Sequence, residues 1–199
     1  MSNPIIKERF INNPQKIRIE RREWYEYLKN DISPMFRPSF NGSNVARSIA
    51  GMENSPSAIR YFAKNSHTLD DYDYWFLLGT CWVQYTGWTE LSLWKELFRS
   101  SRPHRETCLM KPTERRIFKH ILPRIVRCYR AHRPNETDCI SYTIDMDVAK
   151  RFARERNVDS ICEYEINKKN IVALFLRRHE YEILCLDRDK AHLISIITA

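Results

Sequence analysis

Glycine is almost missing from this chain. Of 199 residues only Gly42, Gly51, Gly79 and Gly87 are glycine, and the last 112 residues contain none. A backbone without glycine has few places to turn through positive φ, and few places where a phosphate can approach the main chain closely. A Walker loop and a Rossmann GxGxxG turn need both, and neither motif is present. Any dinucleotide must be held another way.

The remaining composition narrows the class. Hydrophobic residues make up 43% and aromatics 12%, which excludes a disordered chain. The length suffices for one large or two small domains with a real core. The net charge of +8 and pI of about 9.2 favour acidic partners: nucleic acid, an anionic surface or a phosphate-bearing small molecule. A soluble basic protein with solvated lysines and arginines has the same balance. Cys81, Cys108, Cys128, Cys139, Cys162 and Cys185 form no CxxC pair and no zinc-ligand spacing, and several sit in apolar runs. They read as buried free thiols in a reducing compartment. Residues 1–8 have no apolar signal core. The most apolar stretch, 75–94, is interrupted by Gln84, Thr86, Gly87, Thr89 and Glu90, too polar for a membrane span. The expectation is a soluble, cytoplasmic protein with no membrane partner.

Along the chain, residues 1–28 read as a charged helix or arm, and 31–57 as a Pro/Ser/Asn/Gly loop. A short helix is expected over 57–64. From Leu69 the pattern is helical: Asp70 and Asp71 suit a first turn, and Tyr74, Trp75, Leu78, Trp82 and Tyr85 recur at helical spacing. Thr89 is expected to cap a second helix carrying Leu93, Trp94, Leu97 and Phe98. An aromatic stripe of this kind reads as packed core rather than a ligand box. Residues 99–111 read as a polar connection, and Thr113 as the cap of a helix that Pro123 ends. Strands are then expected over 125–131, 140–144, 160–166, 171–176, 181–186 and 192–198, with Asp145 capping a helix through Val148, Ala149, Phe152 and Ala153. Helices first and strands after give an α+β class. The division is a mainly helical region, 1–111, and a sheet-bearing region, 112–199, which together form either two units or one.

Three features of the second half carry chemistry. Glu180 and Glu182 flank Tyr181 at the start of a strand, where i and i+2 point the same way, so two carboxylates stand side by side. Such a pair suits work on a cationic centre, as at an anomeric carbon with an oxocarbenium-like transition state. An exposed edge with two solvated glutamates has the same sequence. Arg130, at the end of a strand, suits bidentate phosphate binding or a surface ion pair. Ser141 and Thr143 put alternate hydroxyls on one face of a short strand, which is also ordinary strand composition.

Their order is more telling: Tyr129-Arg130-Ala131-His132, a loop, Ile140-Ser141-Tyr142-Thr143, the helix Asp147-Val148-Ala149-Lys150-Arg151-Phe152-Ala153, two strands, then Arg177-Arg178-His179-Glu180-Tyr181-Glu182. Over 124–199 this resembles the R-S-E class of ADP-ribosyltransferases, in its phage-borne and toxin-like members. The resemblance implies a split β-sheet core behind an N-terminal helical layer, with NAD as co-substrate gripped without a glycine-rich loop. It implies that Arg130 binds NAD phosphate or ribose, and that Ser141, supported by Thr143, positions Glu182. Glu182 would bond the nicotinamide ribose and stabilise the oxocarbenium ion, and Glu180 would orient or deprotonate the acceptor. The turn 177–179 falls where the family keeps its acceptor-recognition loop. Tyr129 belongs to the NAD-binding strand. Tyr142, Phe152 and Tyr181 are candidates to stack on nicotinamide, and His132 to reach ribose or adenine. Ala131 and Cys139 stand where related sequences often have glycine.

Glutamate first in E-x-E goes, in that family, with arginine as acceptor, so protein arginine is set slightly ahead of RNA or DNA. The basic charge fits nucleic acid as well. An antitoxin or host protein is a further partner at the level of family analogy. Two other readings remain: an NAD glycohydrolase, and a non-enzymatic, Trp-rich basic module that binds nucleic acid or a protein partner.

Overall fold

The computed structural model describes residues 38–52, 55–85, 87 and 89–199. The charged stretch 1–28 and Trp88 therefore lie outside the described residues. Helix α1, Phe40–Ala50, occupies much of the segment expected as a loop. The glycine, asparagine and serine that suggested a loop sit largely in its first turn. Ser39 caps it, accepting from the Gly42 amide at 3.0 Å. Its buried residues Val45 and Ile49 supply the packing that overrides weak propensity. Gly42 permits a close approach, since a Cβ there would fall 2.1 Å from Asp73 Oδ2. Asp73, 1% exposed, accepts from both the Ser39 hydroxyl (2.5 Å) and amide (3.0 Å), joining α1 to the next hairpin.

Helix α2, Pro56–Asn65, has proline in its first turn and Ser55 as cap. Helix α3, Asp71–Gln84, is capped by Asp70, which accepts from the Asp73 amide at 2.8 Å. Helix α4, Leu91–Phe98, starts after Glu90 at φ 62° with no side-chain cap. Thr89 is thus not the cap; its hydroxyl pairs with that of Tyr85 at 2.5 Å. The polar connection contains a single turn, α5, Arg105–Cys108. Helix α6 is Pro112–His120, with Lys111 rather than Thr113 at the cap position. Pro112 takes the first helical site, and the Glu114 carboxylate reaches back to the Lys111 amide at 2.8 Å.

Six strands follow: β1 Ile125–Arg130, β2 Ser141–Thr143, β3 Ser160–Asn167, β4 Ala173–Phe175, β5 Glu182–Leu184 and β6 Ala191–Thr198. Helix α7, Met146–Arg156, separates β2 from β3, and Asp145 caps it by accepting from the amides of Asp147 (2.7 Å) and Val148 (3.3 Å). The chain is therefore mixed α+β. The sheet runs β4-β5-β2-β1-β3-β6, antiparallel throughout. Its two halves meet at a narrow seam. β1 pairs with β3 from Ile125↔Asn167 to Arg130↔Cys162, but with β2 only at Tyr129↔Thr143.

The main hydrophobic cluster draws on both regions, from Val45 through Trp75, Trp94 and Ile117 to Phe175 and Leu186. A second, of Ala131, Ala149, Ala153 and Ile161, packs α7 on the sheet. Small residues there let helix and strands approach closely. All six cysteines are free thiols. Among the described residues no helix is long and apolar enough to cross a membrane.

Candidate functional site

The seam between β1 and β2 opens into a cleft of about 1120 Å³. That is just above the roughly 300–1,000 Å³ usual for small-molecule sites, so it suits a ligand as large as a dinucleotide. One wall is the end of β1 and the loop 131–140. α7 gives a second wall, and the turn 177–181 with β5 a third. Residues of the α3–α4 hairpin, Trp82 among them, close the site.

Glu182 is the most unusual group in it. The residue is 7% exposed, yet its side chain is a carboxylate. Oε1 accepts from the Ser141 hydroxyl, and Oε2 accepts from the Trp82 indole N–H at 2.8 Å. β2 and β5 are antiparallel neighbours with Ser141 opposite Leu184 and Thr143 opposite Glu182, which brings the hydroxyl to the carboxylate. Burial pushes the Glu182 pKa up; the Ser141 and Trp82 hydrogen bonds oppose this without cancelling it, and nearby Glu180 adds to the rise. A buried carboxylate with two donors and a raised pKa is poised to bind a hydroxyl or face a developing positive charge.

Glu180 reaches the same cleft by a different route from the one its spacing suggested. β5 begins only at Glu182, and Glu180 lies in a turn at φ −98°, ψ −14°. Arg178, His179 and Tyr181 adopt positive φ of 66°, 54° and 47°. Strand alternation therefore does not relate the two carboxylates; an irregular turn does, built without any glycine. Strain of this kind costs about 1–3 kcal/mol per residue and persists where surrounding structure imposes it. Here Thr143 donates its hydroxyl to the Glu180 carbonyl at 2.7 Å. Arg177 is clamped to the fully buried Glu114 at 3.0 and 3.1 Å, and Glu114 also accepts from the Leu176 amide at 2.9 Å. Thr143 thus holds the turn rather than Glu182. The Glu180 carboxylate is paired with Arg178 at 2.8 Å, and Arg178 also donates to the Tyr85 carbonyl at 3.3 Å.

Arg130 lines the cleft, but its donors are engaged within the protein. Nε and one Nη bind the Glu136 carboxylate bidentately at 2.8 and 2.5 Å, and the other Nη donates to the Ser141 carbonyl at 2.6 Å. The side chain is 9% exposed. Glu136 gathers further cations. His132 Nδ1 lies 2.7 Å from it and Arg133 3.5 Å. Burial works against the charge on Glu136, but the hydrogen bonds of His132 and Arg130 and their charges outweigh it and hold the carboxyl far below the usual range. An ionised carboxylate only accepts, so His132 Nδ1 carries a proton and donates. The other ring nitrogen meets the Tyr164 hydroxyl at 2.7 Å. With both nitrogens engaged, and away from the cleft lining, His132 is a structural brace rather than a ribose or adenine contact.

The aromatic candidates divide similarly. Tyr129 lines the cleft at the seam. Tyr142 is 1% exposed, edge-on to Tyr164 at 5.3 Å, with its hydroxyl 3.4 Å from Cys139 Sγ, so it belongs to the core. Tyr181, 8% exposed, also packs in the core. Phe152 lines the cleft and carries the guanidinium of Arg156 over its ring at 4.7 Å.

The structure therefore brings Tyr129, Arg130, Ser141, Thr143, Phe152, Glu180 and Glu182 to one cavity, with the core residue Tyr142 at its wall, and leaves His132 and Tyr181 outside. Sequence reasoning missed Trp82, Glu136 and Arg156. Trp82 stands in an aromatic stripe whose other members are core, and nothing in the spacing marks one indole as a donor. Glu136 lies in a loop without a motif. No family model matches the chain, and comparison with curated proteins and with solved structures gives no match.

Proposed function

We propose that the protein transfers ADP-ribose from NAD to a macromolecular acceptor. The observation that carries this reading is the Glu182 carboxylate, buried in the cleft with Ser141 and Trp82 each holding one oxygen. The resemblance of 124–199 to ADP-ribosyltransferases supports it, as does a cleft of dinucleotide size at a sheet seam.

In this reading ionised Glu182 accepts a hydrogen bond from the nicotinamide ribose. It faces the positive charge that develops as the C1′–nitrogen bond breaks and nicotinamide leaves with the bonding pair. The two donors fix the carboxylate before reaction, so no reorganisation is needed when charge appears. The acceptor nucleophile then forms its bond to C1′ and loses a proton, to Glu180 or to water. The Glu180–Arg178 pair supports protein arginine as acceptor, because this carboxylate already holds a guanidinium at 2.8 Å. An incoming arginine would exchange with Arg178.

The test is nicotinamide release and transfer of labelled ADP-ribose in cell extract, with wild type and Glu182→Gln. Expected are turnover by wild type, a loss of at least 100-fold in the variant, and label removed by protease. Label removed by nuclease alone would replace arginine with RNA or DNA as acceptor. Release without any acceptor would make the protein an NAD glycohydrolase. No release and no labelling would leave a non-enzymatic binding module and end the transferase reading.

A further inference from the structure

The anion grip of this cleft does not rest where the sequence suggests. Arg130 has each of its three nitrogens on a protein oxygen, two of them on Glu136. A phosphate arriving there would have to displace a carboxylate held by two hydrogen bonds at 2.8 and 2.5 Å, and by His132 at 2.7 Å.

Arg156 differs. It stands on the last turn of α7 and lines the same cleft as Arg130 and Arg133. Among the described residues it donates one hydrogen bond, from an Nη to the Ala131 carbonyl, next to Arg130 on the chain. The guanidinium lies over the Phe152 ring at 4.7 Å, which fixes its plane. Among the described residues no carboxylate forms an ion pair with it. Glu155 lines the cleft too, but it pairs with Arg151 at 3.6 Å and is more than half exposed. Arg130, Arg133 and Arg156 thus share this end of the cleft, and Glu136 pairs directly with the first two. Burial, then the neighbouring Arg130 and Arg133, lower the Arg156 pKa to about 10. The protein gives this cation an orientation, while the nearest carboxylates, Glu136 and Glu155, act on it from a distance and are paired with other arginines, so a bound anion would supply a direct partner.

We infer that Arg156, with Arg133 beside it, forms a binding site for a phosphate or diphosphate group, while Arg130 is the internal strut that holds the loop 131–140 against β2. The fork of a ring-stacked guanidinium matches phosphate oxygens bidentately. This rests on the proposed function in one respect: the diphosphate it would take is that of the dinucleotide.

Binding of inorganic pyrophosphate and of ADP-ribose to the full chain, by calorimetry at low salt, tests it. Expected is a loss of at least tenfold in affinity for both with Arg156→Gln, and a smaller loss with Arg133→Gln. Arg156→Lys, which keeps a charge and a donor to Ala131 but not the fork, is expected to fall between wild type and Arg156→Gln. It serves as the deciding variant if Arg156→Gln does not fold. Equal pyrophosphate affinity in wild type and the Arg156 variants, or no binding by wild type at millimolar concentration, overturns the site. Nicotinamide release is measured alongside. Arg156-dependent pyrophosphate binding without release would refute the transferase reading and leave the anion site standing. Release with an unchanged KM in Arg156→Gln would refute the site alone.

Discussion

Replacing Trp82 by phenylalanine removes one N–H from the site and little else. The indole donates to Glu182 Oε2 at 2.8 Å and packs edge-on against Trp94 at 4.9 Å and Phe98 at 5.6 Å. A phenyl ring keeps an aromatic in that stack. The lost bond goes to a carboxylate, and hydrogen bonds to charged groups contribute about 1.5–3 kcal/mol. It favours the ionised form of Glu182, and one pKa unit corresponds to about 1.4 kcal/mol. Burial already raises the pKa of Glu182, and losing this donor raises it further. If ionised Glu182 is the working form, the acidic limb of kcat/KM for nicotinamide release moves up, and on that limb about 1.5–3 kcal/mol lowers the rate roughly 10- to 150-fold. Activity lost at neutral pH should return as the pH is raised. The assay is release between pH 5 and 9 for wild type, Trp82→Phe and Ser141→Ala, with thermal denaturation at each end of the range. A rate that falls equally at every pH, with the limb unmoved, would refute the reasoning and reduce Trp82 to packing.

Glu182→Gln should lose turnover yet stabilise the fold at neutral pH. The folded pKa of Glu182 is raised above the ordinary value of 4.5, so its stability is fully present below that value and lost as pH rises through the folded pKa. Denaturation should therefore show a higher Tm for the variant at pH 7, by about 2–4 °C per kcal/mol of charge burial removed, and no difference near pH 4. Glu136→Gln should cost about 3–5 kcal/mol by leaving Arg130 buried without its counter-charge, read by chemical denaturation, and should tighten pyrophosphate binding as the cleft gains a positive charge. Glu114→Ala, at a fully buried carboxylate clamped to Arg177, should lose a similar amount and loosen the turn that presents Glu180. Retained stability would mean that Arg177 finds another partner.

Much of the framework was legible because local rules governed it. The α3 stripe, the Asp145 cap and the wholly apolar β4 were each readable from a short-range pattern. The failures have one cause. Residues 40–50 look like a loop because the residues that cap and pack a helix N-terminus are also loop formers. Glu180 and Glu182 suggest strand alternation, but the turn clamped by Glu114 imposes positive φ on Arg178, His179 and Tyr181. Arg130 suggests an open phosphate grip, because no sequence signal announces that Glu136, six residues on, already fills it.

Sequence by itself determined the α+β class, the absence of a glycine-rich phosphate loop, and the presence of Ser141 and Glu182 on short strands in the second half. Those properties follow from residue type and periodicity along a single segment. The tertiary structure alone decided which partner each charge takes. Trp82 meets Glu182 across 100 positions of chain, Arg177 meets Glu114 across 63, and Arg156 lines the cleft with no ion pair among the described residues. Whether a charged group is a strut or a binding site depends on what satisfies it in three dimensions, and a partner distant in sequence leaves no local pattern to read.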